Sequence, residues 1–328
     1  MPPDCQPRLT KCPRPGGDTD PVRRLLALLP LLLSCASATR LVLLSDFNGA
    51  YGRTSYPPAL TRTVGRVLTD WKPDLVISAG DLIAGQKASL TAPQVQAMWA
   101  AFDQSVRGPL AQAGTPFAFT LGNHDASLPG DRREAQRYWQ AHTPALDYLD
   151  RSGFPFRYSF RLGELFFAVM DASGPNVDAA QRRWLAAQLA TPQARAARFR
   201  LVLGHLPLSG LSAGKNKPGE VISEAAALRE VMERGDVTAY ISGHHAAAYA
   251  GRLGGLNVLA SGGIGGRDYV GFPGTARSTV TVLDVEQGGL RLTLYDAETD
   301  REIPLTSLPP RIRGLGGTVE RLPQPWLR

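Results

Sequence analysis

Six short apolar runs punctuate the chain: LVLLSD at 41–46, LVISAGD at 75–81, FAFTLGNHD at 117–125, LFFAVMD at 165–171, RLVLGH at 200–205 and TAYISGHH at 238–245. None alternates with polar residues, which is the pattern of strands buried on both faces. Each ends on a carboxylate or an imidazole. Between them run segments of helical period, Leu60, Val64, Val67, Leu68 and Trp71 in one, Val95, Met98, Trp99, Phe102 and Val106 in another. A third helix is predicted where Asp178 and Gln181 are spaced as a capping box ahead of Trp184, Leu185 and Leu189, and a fourth from Ser223 to a terminating Gly235. Later, STVTVLDV and LRLTLYDA alternate with period two about Gln287, Gly288 and Gly289, which predicts an antiparallel hairpin. Helices alternating with buried strands, together with this hairpin, predict an α/β fold with a mixed sheet. The proline- and glycine-rich residues 299–328 show little periodicity and are predicted to form an irregular extension.

With 328 residues, 43% of them hydrophobic and 20% charged, the chain has an ordinary globular composition, read here as one large domain over 40–298. Its formal charge of +7 is spread without a basic block or interleaved aromatics, so nothing supports nucleic-acid binding, although a mildly basic surface favours anionic substrates. Cys5, Cys12 and Cys35 are the only cysteines, so the body of the chain holds no internal disulfide and no thiolate metal site.

The leader, residues 1–39, contains the pair Arg23 and Arg24, an apolar run over 25–33 and then small residues, the layout of an export signal. Its LLSC is similar to a bacterial lipobox, in which Cys35 would carry a lipid, while the following ASA also suits ordinary cleavage. The polar stretch 1–21 is unusual upstream of such a signal and places the expected start of translation at Val22. The competing reading is a tail ahead of a buried strand; the order of charge then apolar run favours export. The expected location is the cell envelope or periplasm, with membrane attachment only through the lipid.

Ligands of open α/β folds gather beyond the carboxyl ends of strands. Those ends supply Asp46, Asp81, Asn123, His124, Asp125, His205, His244 and His245, four of the chain's five histidines. A lone histidine at a strand end is usually a hydrogen-bonded structural residue; the joint pattern is much harder to obtain by accident.

In order and spacing, SDFN, AGD, GNHD, GH and GHH resemble the five motifs of the calcineurin-like metallophosphoesterase family, D-x-H, G-D, G-N-H-D/E, an isolated histidine and G-H-x-H. The resemblance covers roughly 40–298. It implies a four-layer α/β/β/α sandwich of two mixed sheets, the metallo-dependent phosphatase fold, and hydrolysis of a small phosphorylated substrate by metal-activated water. By the same resemblance Asp81 bridges two metals, Asn123, His205 and His244 complete the second position, Asp46 and Asn48 serve the first, and His124 is the general acid or donor at the leaving oxygen. Imidazole, amide and carboxylate together suit manganese, iron or zinc.

Two departures deplete the first position: Asn48 stands where the pattern has histidine and so does Ala246. One tight metal site is therefore expected, with the second weak or absent. His245 is an uncertain substitute, because neighbouring side chains on an extended chain point to opposite sides. Ala84 replaces an aspartate found in many relatives, so the orientation of His124 must have another source. In ASGGIGGRDYVG at 260–271, glycine amides and Arg267 are candidates for phosphate contact, against the simpler reading of the glycines as turns. Asp171 is read as a hydrogen-bond acceptor behind the ligands. Three functions remain open: an exported metal-dependent phosphohydrolase, a weakened relative that binds a phosphorylated ligand without efficient turnover, and a structural envelope lipoprotein.

Overall fold

The computed structural model describes residues 39–328. The leader signal, the Val22 start and Cys35 lie outside the described residues. Two mixed sheets face each other. The first has the order β13 (Glu302–Ile303), β12 (Gly289–Asp296), β11 (Thr279–Glu286), β1 (Arg40–Leu44), β2 (Leu75–Ser78) and β3 (Phe117–Phe119), with β16 (Trp326–Leu327) also on β12. The second runs β14 (Arg311–Gly314), β15 (Gly317–Arg321), β9 (Tyr249–Leu253), β10 (Leu256–Ala260), β8 (Ala239–Ser242), β7 (Phe199–Leu203), β6 (Leu165–Val169), β5 (Arg157–Leu162) and β4 (Asp147–Gly153).

In the first sheet β1, β2 and β3 are parallel and run out to the β3 edge, with the antiparallel strands all beyond β1; in the second β6, β7, β8 and β10 are parallel at the centre, with antiparallel strands on both flanks. Parallel strands have their carboxyl ends on one side, and this is what brings the six motif-bearing turns together.

The continuous apolar runs have a direct structural cause. Within β1, Leu41 and Leu43 join the core that contains the second sheet, whereas Val42 and Leu44 join the core beneath the first sheet's helices. Helices Pro58–Arg66, Ala92–Phe102 and Pro129–Ala141 cover that outer face through Leu60, Val64, Met98, Trp99, Phe102 and Trp139. Helices Ala179–Leu189 and Ala225–Arg234 cover the second sheet through Leu185, Leu189, Leu228 and Met232. The result is the expected α/β/β/α sandwich. No helix among the described residues is long and apolar enough to cross a membrane.

Two local expectations need correction. Residues 299–328 are not irregular: four of their segments are strands that extend both sheets, and Ile312, Val319, Leu322 and Leu327 are buried. Short strands closed by glycine turns carry too few residues to show a period. The capping box at Asp178 is half formed. The Asp178 carboxylate accepts the Gln181 N–H at 2.7 Å, but the Gln181 amide turns away and clamps both backbone groups of Asp171 at 2.7 and 2.8 Å.

The turn of the β14–β15 hairpin is docked on the loop that carries Lys215, on both sides of that residue. Gly210 donates to the Leu315 carbonyl at 2.8 Å, Leu315 donates to the Asn216 side chain at 2.6 Å, and the Ser209 hydroxyl donates to the Gly317 carbonyl at 2.8 Å.

Candidate metal centre

Three strand ends, those after β1, β2 and β8, turn into the site through backbone that few side chains tolerate. Asp46, Asp81, His244 and Ala246 have φ of 52°, 59°, 65° and 45°. Left-handed non-glycine residues gathered at one place are a mark of a functional site, since the surrounding structure must hold the strain. Glycines permit the close approach. A Cβ on Gly122 would collide with the Asp81 carboxylate, and one on Gly263, at φ 61°, would lie 2.8 Å from the Asp46 Cβ.

Asp81, His205 and His244 converge so that one ligand atom from each lies within 4.8 Å of the others, all three buried. His205 shows what the cluster is for. Its Nδ1 lies 2.7 Å from the Ala79 carbonyl, to which it donates, so Nε2 is the nitrogen that faces Asn123 Oδ1 at 2.9 Å and Asp81 Oδ1 at 3.3 Å. A neutral imidazole would point a lone pair at two oxygens, so a cation must sit among them, either a proton or a metal. Burial by itself would lower the pKa of His205, yet the charge and hydrogen bond of Asp81, then Asp46 and the Ala79 carbonyl, lift it to about 9. The site therefore craves positive charge at that point, and its donors fit a divalent ion that accepts nitrogen and oxygen. Burial opposes ionisation of Asp81, but His205, His124 and His244 together hold its pKa well below the usual range. Asp46, donated to by the Ser45 hydroxyl, has its pKa pushed up to about 6 by desolvation and then by the Asp81 charge.

Two residues that the sequence did not reveal aim the ligands. Gln86 Oε1 accepts from Asn123 Nδ2 at 2.6 Å, which turns Asn123 Oδ1 toward His205. Glu220 Oε2 accepts from His244 Nε2 at 2.6 Å, which leaves Nδ1 with its lone pair. Its bond to His244 and the Lys215 charge hold Glu220 down at about 2, while burial above all lowers His244 to about 4, so the pair is carboxylate and neutral imidazole at neutral pH. Such outer carboxylates fix the tautomer of metal-binding histidines. A polar residue in an aperiodic loop has no sequence signal to mark it.

His245 is not a ligand. Its Nδ1 accepts from the Leu211 and Ser212 N–H groups at 3.0 and 3.2 Å, and Nε2 donates to the Glu220 carbonyl at 2.9 Å. Both nitrogens are spent on the loop that carries Lys215 and Glu220. The doublet divides its labour: His244 faces the metal cluster and His245 staples the loop over it.

His124 lines the same cavity, with a pKa lowered chiefly by burial, and its backbone N–H donates to Asp81 Oδ1 at 3.0 Å. With Ala84 unable to orient it, the ring is held by stacking on Tyr51, centroids 5.2 Å apart at 20°, and buried Nδ1 has no hydrogen-bond partner among the described residues. Asp125 stays behind the site, accepting from Leu82, Ile83 and Gly122 N–H groups at 2.9, 3.0 and 2.8 Å and so fixing the turn after Asp81. Asp171 does not support the ligands as expected; it pairs with Arg132 at 2.7 Å and accepts from the Ser173 hydroxyl.

Asp46, Asn48, Asp81, His124, Lys215, His244, Ala246 and Arg267 share one cavity of about 350 Å³. A neighbouring cavity of about 620 Å³ shares Tyr51, His124, Lys215, His244 and Arg267 with it. The glycines of 260–271 serve packing as much as ligand access, since Gly263 abuts Asp46 and a Cβ on Gly266 would strike the Arg277 backbone.

Residues 39–247 match the family model described as calcineurin-like phosphoesterase. A search of curated proteins returns no match by sequence. Among solved structures, the chain is similar to the purple acid phosphatase from yellow lupin (Lupinus luteus) seeds, with a TM-score of 0.61 and 18% identity, over 81% of this chain and 53% of that one. The chain thus spans about half the length of the lupin enzyme. It is also similar to GAP50, the anchor in the inner membrane complex of Plasmodium, with a TM-score of 0.55 and 13% identity, over 88% and 90% of the two chains. At these identities the likeness is one of fold.

Proposed function

The chain belongs to the calcineurin-like phosphoesterase family, and from that membership we propose that it hydrolyses a small phosphomonoester or phosphodiester with water activated by one tightly held divalent ion. The observation that carries this reading is the convergence of Asp81, His205 and His244, whose ligand atoms lie within 4.8 Å of one another as a metal ion needs, with Asn123 Oδ1 beside His205. Asp81, Asn123, His205 and His244 would hold the ion, manganese, iron or zinc by donor type, and it would supply Lewis acidity toward a phosphoryl oxygen and a lowered pKa for water. Any ion beside Asp46 and Asn48 would bind weakly, because Ala246 offers no donor.

The chain's own residues position the reactants. His124, clamped by Tyr51 at the junction of the two cavities, acts at the leaving oxygen as general acid or hydrogen-bond donor. In the overall reaction the water oxygen bonds to phosphorus, the bond from phosphorus to the alcohol oxygen breaks, and the two protons of water are divided between alcohol and phosphate.

A panel of phosphomonoesters and of cyclic and linear phosphodiesters, assayed with manganese before and after chelation, tests this. Turnover that disappears with the metal supports it. Metal binding without turnover would favour the second reading, a relative that binds a phosphorylated ligand, for which Ala246 is the supporting observation. Protein with no affinity for any of the three metals sinks both.

The same reading extends to location. The charged-then-apolar order before Cys35 supports export to the cell envelope and lipidation. Mass spectrometry of the terminus in a bacterial host decides it: an intact Met1 overturns export, and a free Ser37 or Thr39 replaces the lipid by simple secretion.

A further inference from the structure

We propose that Lys215, with Arg267 at the rim, is the phosphate-binding cation of the site, taking a phosphoryl oxygen beside the metal cluster; this rests on the metal-centre reading above. The two walls of the 350 Å³ cavity differ in chemistry. One presents Asp81 and His244, which belong to the only cluster of three or more histidine and acidic ligands among the described residues. The other presents Asp46, Asn48 and the methyl group of Ala246, one carboxylate and one amide, too few donors for a transition ion.

Lys215 reaches between these walls. Its side chain is only 15% exposed, and Nζ stands 3.2 and 3.3 Å from the two His244 ring nitrogens and 3.6 Å from Glu220 Oε2. It lines both cavities, as does the exposed Arg267. Glu220 pairs with this ammonium at 3.6 Å but accepts its short hydrogen bond from His244, so Nζ keeps N–H groups that no carboxylate has taken.

Charge makes the case quantitative in sign. Asp46, Asp81 and Glu220 bring three negative charges, one more than a single divalent ion cancels, so a phosphate dianion would meet a net negative site. Lys215 and Arg267 reverse that sign. A cation fixed in advance also costs no reorganisation when substrate binds. This one is fixed: His245 holds the backbone at Leu211 and Ser212, and Asn216, the next residue, is bonded to Leu315.

The test measures binding of inorganic phosphate to manganese-loaded protein by calorimetry, beside manganese stoichiometry. Lys215→Met should weaken phosphate about ten- to a hundredfold, the loss of one charge-assisted hydrogen bond, with manganese uptake unchanged. Lys215→Arg should stay within a few-fold of the parent, and Lys215→Gln, which keeps polarity without charge, should match Lys215→Met if the latter folds poorly. Unchanged phosphate affinity in both neutral variants overturns the proposal. So does a second manganese equivalent with faster turnover, which would make Lys215 a plug in a metal position. Phosphate binding needs no turnover, so the two readings fail separately. An inactive parent whose phosphate affinity still falls in Lys215→Met sinks the hydrolase alone, and an active parent with unaltered affinity sinks this inference alone.

Discussion

Glu220 Oε2 lies 2.6 Å from His244 Nε2 and so commits that nitrogen to a proton. The relationship reaches across 24 residues of sequence and decides which nitrogen of His244 a metal can use. Glu220→Gln should lower manganese or zinc affinity about 10- to 100-fold, because an amide that presents its nitrogen cannot accept from Nε2. Calorimetric titration of the metal-free protein reads this, and an affinity equal to the parent's would show that the tautomer is set without Glu220.

His124 and His205 should separate catalysis from binding. His124→Ala is expected to keep its metal and to lose turnover by about 10²- to 10⁴-fold, most on esters whose leaving alcohol has a high pKa and least on activated aryl phosphates. His205→Ala should lose metal and activity together, since Asp81 and Asn123 then face each other without the imidazole. Rate and metal content measured on the same preparations check both; a His124→Ala protein as fast as its parent on a poor leaving group ends the general-acid assignment.

Replacement of His245 should act on stability. The alanine variant leaves the Leu211 and Ser212 N–H groups and the Glu220 carbonyl without their partner, at a cost of about 2–4 kcal/mol. Denaturant unfolding measures it. At saturating manganese, turnover should survive in whatever fraction remains folded, whereas a ligand role would abolish metal binding even in fully folded protein.

Ile312→Ala tests the C-terminal strands. The side chain is fully buried in the core that contains the second sheet, so its truncation should destabilise the protein by about 2–5 kcal/mol. A midpoint of unfolding that does not move would return residues 299–328 to the status of a loose extension.

What was legible in the sequence followed from burial on both faces. Strands such as Leu75–Ser78 and Phe199–Leu203 must be apolar throughout, and a carboxylate or imidazole at the end of such a run stands out. Strand Asp147–Gly153, DYLDRSG, escaped notice because it lies at a sheet edge with no fully buried position. Helix Pro129–Ala141 escaped because four of its thirteen residues are arginine or glutamate and its stripe is short, Ala135, Tyr138 and Trp139. The ligands Asp81, His205 and His244 were readable because strands deliver them at fixed places. Gln86, Lys215 and Glu220 were not, since each acquires its role from tertiary contacts of a loop without period.

The docking of the β14–β15 turn on the Lys215 loop gives the site a timetable. The residues proposed to hold the metal have all been synthesised once His244 is complete, but Leu315 and Gly317, which brace the loop at Gly210, Asn216 and Ser209, follow much later in the sequence. A nascent chain can thus gather its ligands well before the loop with Lys215 is locked over them. Full assembly of the cavity waits for the β14–β15 hairpin.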